Sequence, residues 1–259
     1  MQRYFIPESS LETSSLVELE DTDHHHLFKV MRAKAGDMVE IVDSAGHLYL
    51  AQVEESNETK QADLIILESL DTPISELPVN VCLAVGISKN DRLDWLVQKA
   101  TELGATTIIP LKLERNVVQW PANKLAQKLE RLQKIANNAA QQAKRLKIPR
   151  ILAPMTLAEL IQSSADYDVK WLAYEETAKS GQHGGLVHDL NQLSPKQEVL
   201  AVFGPEGGID PVEANQLIEA QFKTISLGPR ILRAETAPAY LMSLISYQME
   251  LIERNEEKA

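Results

Sequence analysis

The chain is short of several things, and each shortage narrows what it can be. It holds one cysteine in 259 residues, Cys82, so no intramolecular disulfide can form and a reducing compartment is expected. No apolar stretch approaches the roughly 20 residues that a bilayer-spanning helix needs, so no such span is expected. The opening residues Met1, Gln2, Arg3, Tyr4, Phe5, Ile6, Pro7 and Glu8 offer neither the basic nor the apolar segment of a secretory signal, which points to the cytoplasm. Neither G-x-G-x-x-G nor G-x-x-x-x-G-K-[ST] occurs anywhere, disfavouring a dinucleotide dehydrogenase and a P-loop NTPase. Internal repeats and low-complexity segments are also missing. Cations are scarce, with 26 Lys+Arg against 37 Asp+Glu and a formal net charge of -11. Taken whole, that charge argues against a nucleic-acid partner, because a polyanion is held mainly by Lys and Arg.

The regional distribution reverses this first impression. Residues 1–88 carry 5 Lys+Arg and 16 Asp+Glu, and residues 151–259 carry 8 and 16, whereas residues 89–150 carry 13 and only 5. The middle is thus a basic island of +8 between acidic flanks. Much of it lies in residues 124–150, where Lys124, Lys128, Arg131, Lys134, Lys144, Arg145, Lys147 and Arg150 stand against the single acid Glu130. Local potential steers an anionic partner more than net charge does. The island fits a phosphate-binding surface with a steep salt dependence, and equally a solvated helix face.

At about 150 residues per domain, the length suggests two unequal domains or one large one. The first 70 residues read as a small β-rich unit, with strands at 39–43, 48–54 and 62–70 and one helix at 23–32, where Leu27, Val30 and Met31 share a face. Residues 71–78, with Pro73 and Pro78, form a linker, which places the domains at 1–72 and 73–259. Beyond the linker, near-continuous apolar runs at 79–86, 106–113, 169–174, 199–203 and 224–227 alternate with helices. That pattern indicates an α/β domain with a parallel sheet covered on both faces. Ser88 with Asp91, Thr156 with Glu159, and Asp210-Pro211-Val212-Glu213 have the spacing of capped helix starts. Gly104 suits a C-terminal cap of the helix at 92–103. The longest helix is expected at 121–146 and the last at 237–253.

Two segments break the strand-helix rhythm. Val202-Phe203-Gly204-Pro205-Glu206-Gly207-Gly208-Ile209-Asp210 runs from a strand through a glycine-rich turn into a capped helix. Glycines let backbone amides approach a ligand, and the C-terminal edge of a parallel strand is where open α/β sheets bind one. A tight β-to-α connection without a ligand has the same pattern. Leu227-Gly228-Pro229-Arg230-Ile231-Leu232-Arg233-Ala234-Glu235-Thr236-Ala237 follows the last strand and precedes the last helix. It sets a cation, an anion and a hydroxyl together, with Thr236 in the N-cap position. Both turns could converge on one pocket.

Together these two segments resemble the RsmE family, the 16S ribosomal RNA uracil-N3 methyltransferases of the SPOUT superfamily. The resemblance continues through Arg3-Tyr4-Phe5, His25-His26-Leu27 with Val30-Met31-Arg32, residues 94–104, Glu114-Arg115-Asn116-Val117-Val118-Gln119-Trp120, and Gln142 with Arg145 before Ile148-Pro149. It implies a PUA-like β-barrel for RNA, followed by a SPOUT-type parallel sheet with a C-terminal trefoil knot. It also implies S-adenosylmethionine as cofactor, a homodimer, and 16S rRNA or the small ribosomal subunit as partner. Carried over, Leu172, Gly204, Pro205, Glu206, Gly207, Gly208, Leu227, Gly228, Ile231, Leu232, Arg233 and Thr236 would surround the cofactor. One departure stands out: Gln141-Gln142-Ala143-Lys144-Arg145 replaces a family pattern with Glu-Gln-Ser or Glu-Gln-Cys. That withholds a catalytic role from this loop and leaves Gln142 and Arg145 as RNA contacts.

Methylating N3 of uracil requires an unstacked base, loss of the N3 proton and in-line attack on a sulfonium methyl. Arg233 is the first candidate to stabilise charge developing on the uracil carbonyl oxygens. Glu206 or Glu235 would accept the proton or orient that arginine. Arg3, Lys29, Arg32, Lys34 and Arg115 are further RNA-contact candidates. His24, His25 and His26 point about 100° apart on a helix and cannot form one chelate, and no metal is expected. Cys82 reads as a buried inert thiol, His183-Gly184-Gly185 as a polar loop, and Trp120 as a base-stacking or helix-entry residue. Two rival readings share the fold: a ribose 2′-O-methyltransferase, and a non-catalytic RNA-binding or ribosome-assembly protein.

Overall fold

The structure, a computed structural model, describes residues 1–54, 63–72, 75–174 and 184–252. Ala62, Pro73, Ile74, His183 and Glu253, which enter the sequence expectations above, lie outside the described residues. The chain divides into two compact units, Met1–Glu76 with Ala140–Lys147, and Leu77–Ala139 with Ile148–Ala259.

The first unit is built on a five-stranded sheet of order β1-β3-β4-β5-β2, with β1 at Gln2–Phe5, β2 at Leu16–Val17, β3 at Met38–Val42, β4 at Leu48–Val53 and β5 at Leu64–Leu70. β1 runs parallel to β3, and the other pairs are antiparallel. Alternating residues Tyr4, Val39, Ile41, Tyr49, Ala51, Leu64 and Ile66 form its core with Leu27. Asp43 organises the turn between β3 and β4. Its buried carboxylate accepts the backbone N–H groups of Ser10, Ala45 and His47, the His47 ring at 2.9 Å and the Tyr49 hydroxyl. The predicted helix at 23–32 is a short α1, Asp21–His25, followed by a π-helical stretch at His26–Val30.

Two cations expected on the surface are buried here. Arg3 is 3% exposed because it sits opposite Glu40 in the β1–β3 register, and its Nε donates to the Glu40 carboxylate at 2.9 Å. Its Nη1 also donates to the Arg145 carbonyl. Arg145 is equally buried, its Nη2 held by Glu76 at 2.6 Å. Gln141 is buried as well, and its side-chain amide donates to both Asp23 carboxylate oxygens at 3.1 Å. A carboxylate in that position would face another carboxylate, so the glutamine suits this chain's own partner.

The second unit is a seven-stranded, fully parallel sheet. β6 is Asn80–Gly86, β7 Thr107–Lys112, β8 Arg150–Ile151, β9 Met155–Thr156, β10 Val169–Ala173, β11 Glu198–Phe203 and β12 Lys223–Ile225. Their order is β12-β10-β11-β6-β7-β8, with β9 also paired to β7. Along β6, Val81, Leu83 and Val85 join one core, and Cys82 and Ala84 the other. Helices α2, Asn90–Glu102, and α7, Thr236–Ser246, pack on the first face, while α4, Leu157–Ser163, and α6, Pro211–Glu219, pack on the second. Both faces are thereby covered, as the apolar runs require.

The helix ends show which local signals act. Thr156 with Glu159 and Asp210 with Glu213 form capping boxes, and Pro211 opens α6. Gly104, at φ +96°, ends α2 with Gly104 N–H bonded to Thr101 and Ala105 N–H to Ala100, the Schellman pattern that favours glycine. Ser88 is buried and does not cap α2, where Lys89 occupies that position without a side-chain bond. The long helix α3 is Leu125–Gln142, entered through a 3-10 turn at Ala122–Lys124. Residues Gly184–Leu190, expected as loop at their start, form α5. Cys82 is buried, and burial pushes its thiol up to about 11.

Candidate active site

The strands β6, β10, β11 and β12 are parallel neighbours, so Gly86, Ala173, Phe203 and Ile225 end at one edge of the sheet. The connections leaving that edge enclose a cavity of about 660 Å³. Its first wall is the 204–208 turn. The Gly208 N–H returns to the Pro205 carbonyl at 2.9 Å, and Gly208 takes φ +72°. The turn is seated on β6 because Gly86 lacks a side chain. A Cβ there would lie 2.4 Å from Pro205 N and 2.5 Å from Pro205 Cδ.

Two arginines from neighbouring connections tie the turn down. Arg92, near the start of α2, donates from Nη1 to Glu206 Oε1 at 2.9 Å. Arg115, after β7, donates to the Gly207 carbonyl at 3.4 Å and to Asp210 Oδ2 at 3.2 Å. The Glu213 carboxylate, besides closing the capping box, accepts the Glu114 N–H at 2.9 Å. The other Glu206 oxygen, Oε2, is shut off from solvent and has no partner among the described residues.

The second wall is the segment after β12. Gly228, at φ +100°, turns the chain, and Ile231 and Arg233 reach solvent, Ile231 being 76% exposed. The Thr236 and Ala237 N–H groups bond to the Arg233 carbonyl as α7 begins. Arg233 Nη1 lies 4.0 Å from Glu235 Oε1, and its side chain is 79% exposed. Glu235 Oε2, like its counterpart on Glu206, is buried without a partner among the described residues.

The structure therefore gathers Gly204, Pro205, Glu206, Gly207, Gly208, Leu227, Gly228, Ile231, Leu232 and Arg233 around one cavity. Leu172 and Thr236 stand apart from it. Leu172 is fully buried in β10 in the second core, and its chain neighbours Ala173 and Tyr174 line the cavity instead. Thr236 is the first residue of α7, and Glu235 holds the N-cap position without a side-chain cap bond. Glu235 does not line the cavity either. Arg115, singled out for RNA, is at the cavity wall, whereas Lys29, Arg32, Lys34 and Gln142 are exposed in the first unit. Sequence reasoning missed Gly86 and Arg92. A glycine closing an otherwise apolar strand was the one available signal for the former.

Among the described residues no group of three or more His, Cys, Asp or Glu could hold a metal ion, and no helix is long and apolar enough to cross a membrane.

A family model described as an RNA methyltransferase domain matches residues 75–246, and one described as an RNA methyltransferase PUA domain matches residues 19–67. The ribosomal RNA small subunit methyltransferase E of Bacillus subtilis is 37% identical over 97% of this chain and 98% of its own. This chain belongs to the ribosomal RNA small subunit methyltransferase E family. Another methyltransferase E, from Synechocystis, is 33% identical over 94% of this chain and 76% of its own. The Neisseria gonorrhoeae methyltransferase E, solved bound to S-adenosyl methionine, superposes with a TM-score of 0.81 at 29% identity, covering 95% of this chain and 97% of that one. A Legionella pneumophila methyltransferase, solved with its bound cofactor SAM, gives 0.82 at 28% identity over 94% and 96%.

Proposed function

We propose that this methyltransferase E family member transfers the methyl group of S-adenosylmethionine to N3 of a uridine in the 16S rRNA of the small ribosomal subunit. The observation that carries this reading is the convergence of both glycine-containing turns on one cavity at the C-terminal edge of the parallel sheet. Its volume of about 660 Å³ is within the range of small-molecule sites, roughly 300–1,000 Å³. Among the described residues nothing lies within 4 Å of where a Cβ would project from Gly208 or Gly228, so the backbone at both turns is open to a ligand. These residues fit the cofactor, with the 204–208 turn, Leu227, Gly228 and the backbone of 231–233 holding it. When bound, S-adenosylmethionine supplies an activated sulfonium methyl, so the protein needs no metal to activate the electrophile.

The chain's own residues have three tasks. The clamped turn fixes the reaction geometry in advance, the main contribution expected where two bound substrates must meet in line. Arg233, exposed at the cavity, places a guanidinium where negative charge develops on the uracil carbonyl oxygens. Glu206 lines the cavity and Glu235 does not, which favours Glu206 over Glu235 as acceptor of the N3 proton and leaves Glu235 beside Arg233. In the first unit, the exposed Lys29, Arg32 and Lys34 supply contacts to RNA phosphates, and in this reading that unit binds RNA while the second performs the chemistry. A C-terminal trefoil knot, a homodimer and a cytoplasmic location belong to the same proposal.

Mass spectrometry of nucleosides from RNA treated with the purified protein tests it. 3-Methyluridine is expected. 2′-O-methyluridine would replace this reading with ribose methylation, and RNA binding without S-adenosylmethionine binding by calorimetry would replace it with a non-catalytic role. Arg233→Ala is expected to lower turnover about 100-fold with cofactor affinity largely retained. Wild-type turnover in that variant would remove Arg233 from the mechanism.

A further inference from the structure

The cavity wall carries more positive charge than its cofactor explains. Arg92, Arg115, Arg230 and Arg233 line it, and Glu206 is the one carboxylate among the described residues that does. Glu206 takes Arg92 at 2.9 Å, and Arg115 turns to Asp210 at 3.2 Å. The Arg230 guanidinium is exposed and makes no ion pair or hydrogen bond among the described residues. S-adenosylmethionine bears a sulfonium and an ammonium against one carboxylate, so a wall rich in arginine is matched to a polyanion instead. Between Arg230 and Arg233 in the chain stands Ile231, 76% exposed, more than any other large apolar side chain among the described residues. It too lines the cavity. A side chain that lines a cavity and still lies in solvent stands at its opening.

Methylation at N3 needs the uridine out of its stack, and that extrusion is costly. Proteins that unstack nucleic acid insert an apolar wedge at a base step and hold the adjoining phosphates with cations. We infer that Ile231 is such a wedge: its side chain fills the place in the stack that the target uridine leaves, while Arg230 holds a neighbouring RNA phosphate. The main chain of 231–233 stays with the cofactor, so one segment meets the cofactor with its backbone and the RNA with the side chains of 230 and 231. Arg233, two residues on, is left to meet the carbonyl oxygens of the extruded base. Charge decides the occupant of this exposed apolar position. Covered by the apolar face of another protein chain, Arg230 would lose its water and gain no counter-charge, whereas an RNA backbone supplies one. Ile231 and Arg230 are therefore positioning residues: they present the base to the cavity and take no part in the bond changes at N3.

This inference rests on the uracil-N3 reading, and its test separates the two. Wild-type protein, Ile231→Ala, Ile231→Leu and Arg230→Gln are assayed on a 16S rRNA fragment holding the target uridine. They are assayed again on the same fragment with an abasic nucleotide beside that uridine, which removes its stacking partner. Absence of 3-methyluridine from both RNAs with the wild type would overturn both readings. If the wild type makes it, Ile231→Ala is expected to lower kcat/KM on the intact RNA about tenfold, and the abasic RNA, already unstacked, to recover most of that loss. Ile231→Leu should keep most of the rate. Arg230→Gln should weaken binding of both RNAs alike and reduce the slope of log affinity against log salt by about 0.7, the value for one phosphate contact on a single strand. Calorimetry with S-adenosylmethionine should show a far smaller change for Ile231→Ala than its loss of turnover. Three results with Ile231→Ala would overturn the inference alone: an equal loss on intact and abasic RNA, a loss of cofactor affinity as large as the loss of turnover, or a change of oligomeric state in sedimentation, which would place Ile231 between copies of the chain. An unaltered salt slope in folded Arg230→Gln would overturn the phosphate contact.

Discussion

Replacing Gly86 by alanine tests whether the cavity depends on a close backbone approach. β6 is hydrogen-bonded on both sides, to β11 and to β7, so it has little room to retreat. The added Cβ would lie 2.4 Å from Pro205 N and 3.0 Å from Gly204 C. Both are backbone atoms, and no rotamer can relieve the overlap. The 2.4 Å approach is about 1 Å short of the ordinary carbon contact, so the 204–208 turn must move by about that much. Overpacking of this kind costs roughly 1–3 kcal/mol, which in a chain of this size lowers Tm by roughly 2–12 °C. The functional effect should be larger, because a displacement of about 1 Å at a positioning element can cost about 100-fold. Calorimetric titration with S-adenosylmethionine should show at least a tenfold weaker dissociation constant for Gly86→Ala. Gly185→Ala, in α5 with nothing among the described residues within 4 Å of its Cβ position, is the control and should leave that affinity unchanged. A Gly86→Ala protein with wild-type affinity and Tm would refute the reasoning that this glycine seats the turn.

Asp43 gives the first unit an acid-sensitive element. Burial raises its carboxyl, but hydrogen bonds from the His47 ring and from the His47 and Ser10 backbone outweigh burial and hold it below the ordinary carboxylate value. A group depressed in the folded state contributes stability that is full above its unfolded value, about 3.9, and is lost as pH falls through the lower folded value. Asp43→Asn should therefore flatten the acid limb of stability in urea titrations below about pH 4, and an unchanged limb would assign that sensitivity elsewhere. Asp210→Ala removes the α6 cap and a partner of Arg115 together. A loss of about 1 kcal/mol for the cap should be accompanied by weaker cofactor binding, and a stability loss with wild-type affinity would separate Arg115 from the turn's positioning.

The elements legible in the sequence were those specified by neighbours in the chain. The apolar runs that became β6, β7, β10 and β11 carry their signal within a few residues, as do the Thr156–Glu159 and Asp210–Glu213 capping boxes and the Schellman glycine at 104. Ser88 carried the same local signal and failed because its side chain went into the interior. Short strands such as β8 and β9, each two residues long, are too brief for any periodicity and exist only because β7 offers an edge to pair with. Arg3 is the clearest misreading. A lone cation near the start of a chain reads as a surface group, and only the pairing of β1 with β3 reveals Glu40 as its partner, 37 residues away.

The same distinction divides the site. Both glycine-containing turns could be found locally, because each announces a strand end and a helix start within about ten residues. What holds the first turn could not. Gly86 meets Pro205, and Arg92 meets Glu206 across 114 residues of chain, only because β11 pairs directly with β6 in register from Glu198 opposite Asn80 to Phe203 opposite Val85. Had β11 occupied a different place in the sheet, the same motif would have kept its turn geometry and lost both its seat and its arginine. Chemistry-bearing residues can thus be read from local sequence, while the residues that orient them depend on strand order, which no hydrophobic periodicity encodes. For this cavity strand order decides which cation stands beside Glu206.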